Sequence, residues 1–364
     1  MDPRLKIEDL NKSFGALHVL KDFNLEIGQG EVVTLLGPSG CGKTTCLHLV
    51  AGLQTADTGT IYLRGQSVNA IPPRKRRVGM VFQRWALFPH MTVYENVAFG
   101  LKMRKLGKKE IDSKVKEVLQ VVRLPQVADK FPSQLSGGMQ QRIGLARAIV
   151  VKPDILLLDE PFSNLDELLR REMEVEMRRI QEHLRMTTLF VTHNQEEALI
   201  MSDRVAVMWD GRIVQIGSPL EIYNRPKNEF VCTFVGDVNC LEGQVERISD
   251  MLVVIRSGNL QLAATPSPEL QVGKRALVTL RPERIDIVEG HSDSSSRDNS
   301  IHATIKERIY KGSSLTYYLD ASGVSLQVVR HSRGNGTLHN IGDPVSIEFD
   351  ASDLVVLESG ESYD

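Results

Sequence analysis

A glycine-rich segment at residues 37–44 has the residue types and the spacing of a phosphate-binding loop. It reads Gly-Pro-Ser-Gly-Cys-Gly-Lys-Thr and fits the pattern G-x-x-x-x-G-K-[ST]. Glycines allow backbone N–H groups to surround phosphate oxygens, the lysine can neutralise them, and the threonine hydroxyl can bind Mg²⁺. The alternative is a chance glycine-rich turn. The residues predicted to bind nucleotide are Gly37, Pro38, Ser39, Gly40, Cys41, Gly42, Lys43, Thr44 and Thr45.

A pair of adjacent carboxylates follows a short apolar run further along the chain. Residues 155–158 read Ile-Leu-Leu-Leu, and Asp159 and Glu160 come next. Asp159 is placed to hold Mg²⁺ directly or through water, and Glu160 could polarise an attacking water as a general base. Taken alone, such a pair is also common at an ordinary strand end. Its position downstream of a phosphate-binding loop favours ATP hydrolysis.

The elements that must position these residues follow an α/β pattern over roughly the first 235 residues. The apolar run Val32–Leu36 predicts a strand before the loop, and residues 44–51 predict a helix stopped by a glycine. Residues 155–158 predict a strand buried on both faces of a parallel sheet, and Thr188–Thr192 predicts the next strand. A helix with one apolar stripe is predicted from the spacing of Leu169, Met173, Met177, Ile180 and Leu184.

Two changes of pattern divide the chain. A helical insertion is predicted at about residues 94–150, with a helix beginning at Ser136, a favourable N-cap residue. After about residue 236 the helical periodicity fades and short alternating strands predict a small β-barrel domain or a pair of barrels. The predicted domains are therefore residues 1–235 and residues 236–364, and the serine-rich residues 291–300 predict a loop inside the second.

Composition excludes several classes of protein. Lys plus Arg is 44 and Asp plus Glu is 46, so the net charge of −2 gives no case for nucleic-acid binding. The four cysteines form no Cys-x-x-Cys pair, which favours a reduced compartment over a disulfide framework. The N-terminal residues do not resemble a signal peptide, and the apolar runs are too short to cross a bilayer. The basic residues 74–77 are predicted to form a solvated loop.

Four further segments, taken with the phosphate-binding loop, resemble the ATPase of the ABC transporter family over about residues 5–234. The family motifs that they resemble are the signature (residues 135–142, LSGGMQQR), the D-loop (163–166, SNLD), the switch histidine (191–193, VTH) and the Q-loop (81–83, VFQ). One departure is Met139, where the family usually has Gln. The serine and both glycines that carry the phosphate contact remain.

This resemblance implies a role for each matching residue. Catalytic roles fall to Glu160, His193 and Gln83, and magnesium ligation to Thr44, Gln83 and Asp159. Phe14 would stack on adenine, with a core aromatic as the alternative. Further nucleotide contacts, made across a dimer, are implied for Ser136, Gly137, Gly138 and Asp166.

The resemblance also implies partners. The chain has one phosphate-binding loop and one signature, so it would work as a head-to-tail homodimer, or with a paired ATPase subunit, around two ATP molecules. The C-terminal half resembles the OB-type transport-associated domain of bacterial importer ATPases, with residues 280–283 (Leu-Arg-Pro-Glu) as a typical motif. The expected setting is peripheral, on the cytoplasmic face of the inner membrane. The expected partners are two transmembrane permease subunits and, indirectly, a solute-binding protein.

Alternatives remain at the level of function. The favoured hypothesis is the ATP-hydrolysing subunit of a solute importer, with a polyamine as the favoured cargo from the pattern at residues 309–312 and 345–357. Ferric iron, a sugar or another solute are alternative cargoes. A soluble ABC ATPase of translation or DNA repair is a less favoured alternative, as is a regulator that binds ATP without turnover. The intact Lys43, Asp159, Glu160 and His193 disfavour the regulator.

Overall fold

The computed structural model describes residues 3–83, 87–268, 270–289, 297–332 and 338–358. The chain forms two compact units, Met1–Pro219 and Leu220–Asp364. The first unit is mixed α/β with an inserted group of helices, and the second is built mainly of antiparallel strands. This confirms the fold class predicted from the sequence.

Two sheets organise the first unit. A six-stranded sheet has the order β10-β9-β3-β8-β7-β6 and is parallel except at β10, and a four-stranded antiparallel sheet has the order β2-β1-β4-β5. The strands are β1 (Leu5–Phe14), β2 (Leu17–Ile27), β3 (Val32–Leu36), β4 (Thr58–Leu63), β5 (Gln66–Ser67), β6 (Val78–Val81), β7 (Ile155–Asp159), β8 (Thr188–Thr192), β9 (Arg204–Trp209) and β10 (Arg212–Gly217).

The register of the parallel strands places the chemical residues at one edge of the larger sheet. Leu36 of β3 pairs with Thr192 of β8, and Asp159 of β7 pairs with Val191 of β8. Val81 ends β6 beside Leu158. The residues that follow each strand therefore meet at the carboxyl edge, which is where open α/β sheets bind their ligands.

Four helices of the first unit follow residues whose side chains cap them. Thr92 forms a capping box with Glu95, and Ser136, Asp166 and Asn194 each accept a hydrogen bond from a backbone N–H of the helix that follows. The helices are α1 (Lys43–Ala51), α2 (Val93–Met103), α3 (Lys108–Val121), α4 (Gly137–Ile149), α5 (Glu167–Leu184) and α6 (Gln195–Met201).

Strand β7 separates two hydrophobic cores. Its alternating side chains point to opposite faces, so Leu156 and Leu158 pack in one core while Ile155 and Leu157 pack in the other. The first core contains the inserted helices, and the second contains α1 and the four-stranded sheet. Burial on both faces explains why β7 is an uninterrupted apolar run.

Arg76 corrects one sequence-based prediction. Residues 74–77 were expected to be a solvated loop, but Arg76 is only 6% exposed. Its guanidinium donates to the carbonyl oxygens of Leu49 at 2.6 Å and Val50 at 3.0 Å, which lie in the last turn of α1. Cations favour this end of a helix because its carbonyls lack partners and carry partial negative charge.

The described part of the second unit contains two short α-helices and two five-stranded antiparallel sheets, with the orders β13-β12-β11-β14-β20 and β15-β19-β16-β17-β18. Both sheets contribute to one hydrophobic core. The elements are α7 (Pro219–Asn224), α8 (Glu229–Phe234), β11 (Asn239–Ile248), β12 (Val253–Ser257), β13 (Leu260–Ala264), β14 (Arg275–Leu280), β15 (Asp286–Glu289), β16 (Asn299–Tyr310), β17 (Ser314–Ala321), β18 (Val324–His331), β19 (Pro344–Phe349) and β20 (Leu354–Glu358). Of the predicted loop at residues 291–300, residues 291–296 lie outside the described part of the chain, and residues 299–300 belong to β16.

Arg281 shows why the second unit includes the two helices that precede its strands. Its buried guanidinium donates to the carbonyl oxygens of Gly236 at 2.9 Å and Asp237 at 3.0 Å, and lies 4.1 Å from the ring centroid of Tyr223. The predicted division at residues 235 and 236 falls after α8, because the change of composition marks the first strand rather than the helices that pack with it. Across the described residues, no helix combines the length and apolarity required to span a membrane.

Candidate active site

The phosphate-binding loop, residues 37–44, has a backbone that depends on glycine at two positions. Gly42 has a φ of 101°, which side chains of L residues rarely allow. A Cβ atom at Gly37 would lie 2.5 Å from the backbone oxygen of Met208 and 2.8 Å from the sulfur of Cys41. Any larger residue at Gly37 would therefore push β9 or the loop out of place.

Helix α1 begins in this loop without a side-chain cap. Its N-cap residue is Gly42, and no side chain in the described structure accepts a hydrogen bond there. The first N–H groups of a helix have no partner within the helix and form a site for anions. The N-terminus of α1 therefore fits a phosphate group.

The ammonium group of Lys43 lies inside the loop. Its Nζ donates to the carbonyl oxygens of Gly37 and Pro38, both at 2.7 Å, and is 3.7 Å from the sulfur of Cys41. Burial raises the pKa of the Cys41 thiol, although the nearby Lys43 opposes this. Lys43 therefore presents a positive charge at the point where phosphate oxygens would enter.

Two oxygen groups suited to Mg²⁺ meet beside the loop. The hydroxyl of Thr44 donates to Oδ1 of Asp159 at 3.1 Å, and Nε2 of His48 is 4.0 Å from Oδ2 of the same carboxyl. Burial raises the pKa of Asp159, while the hydrogen bond from Thr44 opposes the rise. Hydroxyl and carboxylate oxygens are ligands that Mg²⁺ prefers, so the donor set fits this ion.

Glu160 and His193 form a direct pair at the ends of neighbouring strands. Nδ1 of His193 is 3.0 Å from Oε1 of Glu160. The His193 side chain is 56% exposed and that of Glu160 is 21% exposed, so both remain accessible to a ligand. The sequence predicted the two residues separately, and the parallel pairing of β7 with β8 brings them together.

The D-loop, residues 163–166, is tied to this pair and to the Q-loop. Ser163 donates through both its backbone N–H, at 3.2 Å, and its hydroxyl, at 3.0 Å, to the carbonyl oxygen of Glu160. The Asn164 side chain donates to the backbone oxygen of Gln83 at 2.9 Å. Asp166 caps α5 by accepting from the N–H of Leu169. Segments far apart in the sequence therefore share one hydrogen-bond network.

The signature segment, residues 135–142, begins α4. The hydroxyl of Ser136 accepts from the N–H of Met139 at 3.5 Å, and a Cβ atom at Gly138 would lie 3.0 Å from a methyl carbon of Leu169. Met139, the one departure from the family pattern, is partly buried against the core of the inserted helices. Gly137 is the first residue of α4.

Phe14 lies at the end of β1 with 48% of its surface exposed. The ammonium group of Lys12 is 5.3 Å from the centroid of its ring. This exposure does not fit the alternative that Phe14 is a core aromatic. Stacking on adenine remains a prediction.

The predicted residues fall into two groups. The phosphate-binding loop, Asp159, Glu160, His193 and the Q-loop lie together at the carboxyl edge of the parallel sheet. Among the described residues, no hydrogen bond joins Ser136 to this group. The roles that the resemblance implies for these two groups remain predictions.

Sequence reasoning missed several residues that support the site. The buried Thr192 and Glu197 form a polar group behind His193 with the partly exposed Arg170, and the amide of Asn164 connects the D-loop to the Q-loop. No spacing pattern identifies these contacts, because Glu197 and Arg170 look like ordinary surface charges on amphipathic helices. The only sequence signal was their position next to motifs already identified.

Two family models match this chain. The model described as "ABC transporter" matches residues 20–163, and the model described as "TOBE domain" matches residues 278–357. The first match covers the phosphate-binding loop, the signature, Asp159 and Glu160. The second covers the whole Leu-Arg-Pro-Glu motif, residues 280–283.

Curated relatives match over nearly the full length. The chain is 44% identical to the spermidine/putrescine import ATP-binding protein PotA of Aliivibrio fischeri, over 97% of this chain and 95% of that protein. It is also 44% identical to PotA of Haemophilus influenzae, over 99% of this chain and 98% of that protein. Among solved structures, the chain is similar to CbiO1 from Clostridium perfringens, which is described as part of the ABC transporter complex CbiONQ. The TM-score is 0.56 and the sequence identity is 31%, over 61% of this chain and 91% of that chain.

Proposed function

We propose that this chain, which belongs to the family of ABC importer ATP-binding proteins, powers the import of a polyamine of the spermidine or putrescine type. Hydrolysis of ATP is the activity of this family, and the residues needed for it are present. The polyamine cargo rests on one observation, the identity of 44% over 97% of the chain with a protein named for spermidine and putrescine import.

Nucleotide binding is assigned to the phosphate-binding loop. The N–H groups at the start of α1 and the ammonium group of Lys43 would hold the β- and γ-phosphates. Lys43 would exchange its present contacts with the carbonyl oxygens of Gly37 and Pro38 for phosphate oxygens. The exposed ring of Phe14 would stack on the adenine.

Magnesium binding is assigned to Thr44 and Asp159, whose oxygens already meet, with Gln83 as the third predicted ligand. When bound, Mg²⁺ would neutralise part of the negative charge on the β- and γ-phosphates. The desolvation that raises the pKa of Asp159 also makes a bound cation more favourable there.

Activation of the attacking water is assigned to Glu160. Its carboxylate would accept a proton from the water as the water oxygen bonds to the γ-phosphorus and the bond from that phosphorus to the bridging oxygen of the departing ADP breaks. His193, 3.0 Å from Glu160, would hold that carboxylate in place and contact the γ-phosphate. Gln83 would sense the γ-phosphate and transmit its presence to the inserted helices.

The signature helix is assigned to a second copy of the chain. Ser136, Gly137 and Gly138 stand at the N-terminus of α4, a favourable place for an anion, and would contact the γ-phosphate held by the facing subunit. Asp166 would connect the two sites. An importer ATP-binding subunit works with permease subunits, and a pair of permeases with a solute-binding protein is the assembly expected here.

Reconstitution tests the cargo. The chain would be placed in vesicles with its own permease subunits and binding protein, and ATP turnover would be measured with candidate solutes. Spermidine or putrescine should raise turnover several-fold over the unliganded level. A matched transporter carrying Glu160→Gln should show no such rise, which assigns the turnover to this chain.

The outcomes separate cargo from activity. Stimulation by a sugar or by ferric iron, with no response to polyamines, would contradict the cargo while leaving the ATPase in place. The relatives reported above are import proteins, which favours an importer over a soluble ATPase of translation or DNA repair.

A further inference from the structure

A chain of hydrogen bonds lies directly behind His193. Thr192, the buried last residue of β8, donates through its hydroxyl to Oε2 of Glu197 at 2.5 Å and accepts from the N–H of Asn194 at 2.9 Å. The N–H of Glu197 donates in turn to the side chain of Asn194 at 3.2 Å. Glu197 is therefore hydrogen-bonded to the side chains of both residues that flank His193.

Arg170 joins this chain to the D-loop. Its Nη2 donates to the carbonyl oxygen of Leu165 at 3.1 Å, and its Nε is 3.9 Å from Oε1 of Glu197. That Nε is buried and has no hydrogen-bond partner among the described residues. Buried donors are nearly always paired, and a closer approach of about 1 Å would complete a bond to Glu197.

We propose that Glu197 and Arg170 are positioning residues that hold His193 against Glu160 and connect this arrangement to the D-loop, an inference that rests on the hydrolytic site proposed above. The connection runs from Leu165 through Arg170, Glu197 and Thr192 to His193. Because Leu165 precedes Asp166, a shift of the D-loop on dimer closure would move the guanidinium relative to Glu197. Neither Glu197 nor Arg170 would touch ATP.

A purely stabilising role explains the pair less well. Glu197 is 3% exposed, and burial raises its pKa, although Thr192, Arg170 and His193 each lower it. Buried ion pairs are weak sources of stability because the loss of hydration offsets the attraction. The charge of Glu197 also helps to raise the pKa of Glu174, which is 3% exposed as well. A charged Glu197, held in place despite the free energy lost when its carboxylate leaves water, fits a role in orienting its neighbours.

A double-mutant cycle in the full-length chain tests the proposal. ATP turnover would be measured for Glu197→Gln, for His193→Ala and for the double variant, with single-turnover assays for the slow proteins. Glu197→Gln alone should lower kcat about tenfold with the KM for ATP and the melting temperature unchanged. In the His193→Ala background, Glu197→Gln should lower kcat by less than about twofold, because a residue that acts through His193 has nothing left to position.

Two further variants control for charge and for folding. Glu196→Gln removes the same charge from the neighbouring, exposed residue of α6 and should stay within about twofold of the unmodified chain. Arg170→Gln approaches the network from the partly exposed side of α5. It should also lower kcat about tenfold, and it should leave kcat nearly unchanged in the His193→Ala background. If Glu197→Gln does not fold, Arg170→Gln alone tests whether the network acts through His193.

The opposite results overturn the inference in distinguishable ways. Losses that multiply in the double variants, or full turnover in both Glu197→Gln and Arg170→Gln, would remove the positioning role while His193 keeps its place in the site. Full turnover in His193→Ala alone would remove both the assigned role of His193 and the inference built on it.

Discussion

Glu160 has a backbone conformation that few residues other than glycine adopt. Its φ is 42°, its N–H donates to Val191 at 3.0 Å, and its carbonyl oxygen accepts from Ser163. Such conformations persist only where the surrounding structure enforces them, and they concentrate at functional sites. The turn after β7 therefore directs the Glu160 carboxylate towards His193.

Replacing this carboxylate should separate binding from hydrolysis. Glu160→Gln keeps the size and the contact with His193 but cannot accept a proton, so turnover should fall by about a hundredfold or more. Binding of ATP should be retained, and an ATP-bound dimer should accumulate. Turnover by phosphate release and dimer formation by size-exclusion chromatography measure the two effects. Near-normal turnover would remove Glu160 from the role of general base.

Glu174 predicts a dependence of stability on pH. Burial raises the pKa of Glu174 from 4.5 to about 7. The charges of Glu197 and Glu196 add to this rise, and those of Arg170 and Arg171 oppose it. The folded state therefore binds more protons than the unfolded state between these values. The contribution of Glu174 to stability is fully present below about pH 4.5 and is lost as the pH rises to about 7.

Glu174→Gln should remove this loss because an amide does not ionise. The variant should be more stable than the unmodified chain at pH 8, by roughly 3 kcal/mol in the free energy of unfolding, and should melt much closer to it at pH 5. The exposed neighbour Glu172 supplies the control, since Glu172→Gln should change the melting temperature at neither pH 8 nor pH 5. An equal effect of Glu174→Gln at both pH values would contradict the raised pKa.

At the scale of elements, the helix N-termini divide between two tasks. Helix α1 begins at a glycine without a side-chain cap, whereas α4 begins at Ser136 and α5 at Asp166, which both cap their helices. The open end of α1 suits an anion held within the same chain. The hydroxyl of Ser136 accepts from Met139 at a long 3.5 Å, so little binding energy is lost if it turns to a phosphate of another subunit.

Mixing inactive subunits tests whether α4 acts across a dimer. Ser136→Arg blocks a signature and Lys43→Ala blocks a phosphate-binding loop, so a mixed head-to-tail dimer keeps one intact site. ATP turnover of the mixture should exceed that of either variant alone. As a control, Lys43→Ala mixed with Glu160→Gln should show no rescue, because both changes fall on the same side of each site. Equal inactivity of both mixtures, with mixed dimers demonstrated, would contradict the arrangement across two subunits.

At the scale of the whole molecule, the chain divides into two compact units. The two main cores of the first unit use residues up to Ile216, and those of the second use residues from Cys232 onward. Every predicted nucleotide-binding and catalytic residue lies in the first unit, and the TOBE match lies in the second. The two units are therefore expected to be separable.

A chain ending at Pro219 should fold and bind ATP within about threefold of the full-length affinity, measured by fluorescence of a labelled nucleotide. The physical reason is that its cores lose none of their buried members. A chain ending at Ser202 is the matched control. It lacks β9, which pairs with β3 and places the Met208 backbone against Gly37, so it should neither fold nor bind. A folded chain ending at Pro219 that binds no ATP would show that the second unit supplies part of the site.

The sequence by itself determined the local elements and the identity of the phosphate-binding loop. Strands β3 and β8 begin and end at the predicted residues, and Ser136 caps α4 as expected. These predictions succeed because glycine geometry, capping and apolar runs act over a few neighbouring residues. The motifs also identified the family, because each carries its chemistry in a short stretch of chain.

Only the tertiary structure decided which residues meet. The contact of Asn164 with Gln83, the burial of Arg76 against the end of α1, and the link from Arg170 to Glu197 all join segments distant in sequence. A charged residue on a helix looks the same in the sequence whether its face meets water or a second helix. The packing of α5 and α6 beside β8 removes that ambiguity, because it takes Glu197 out of water and leaves Thr192 and Arg170 as its partners.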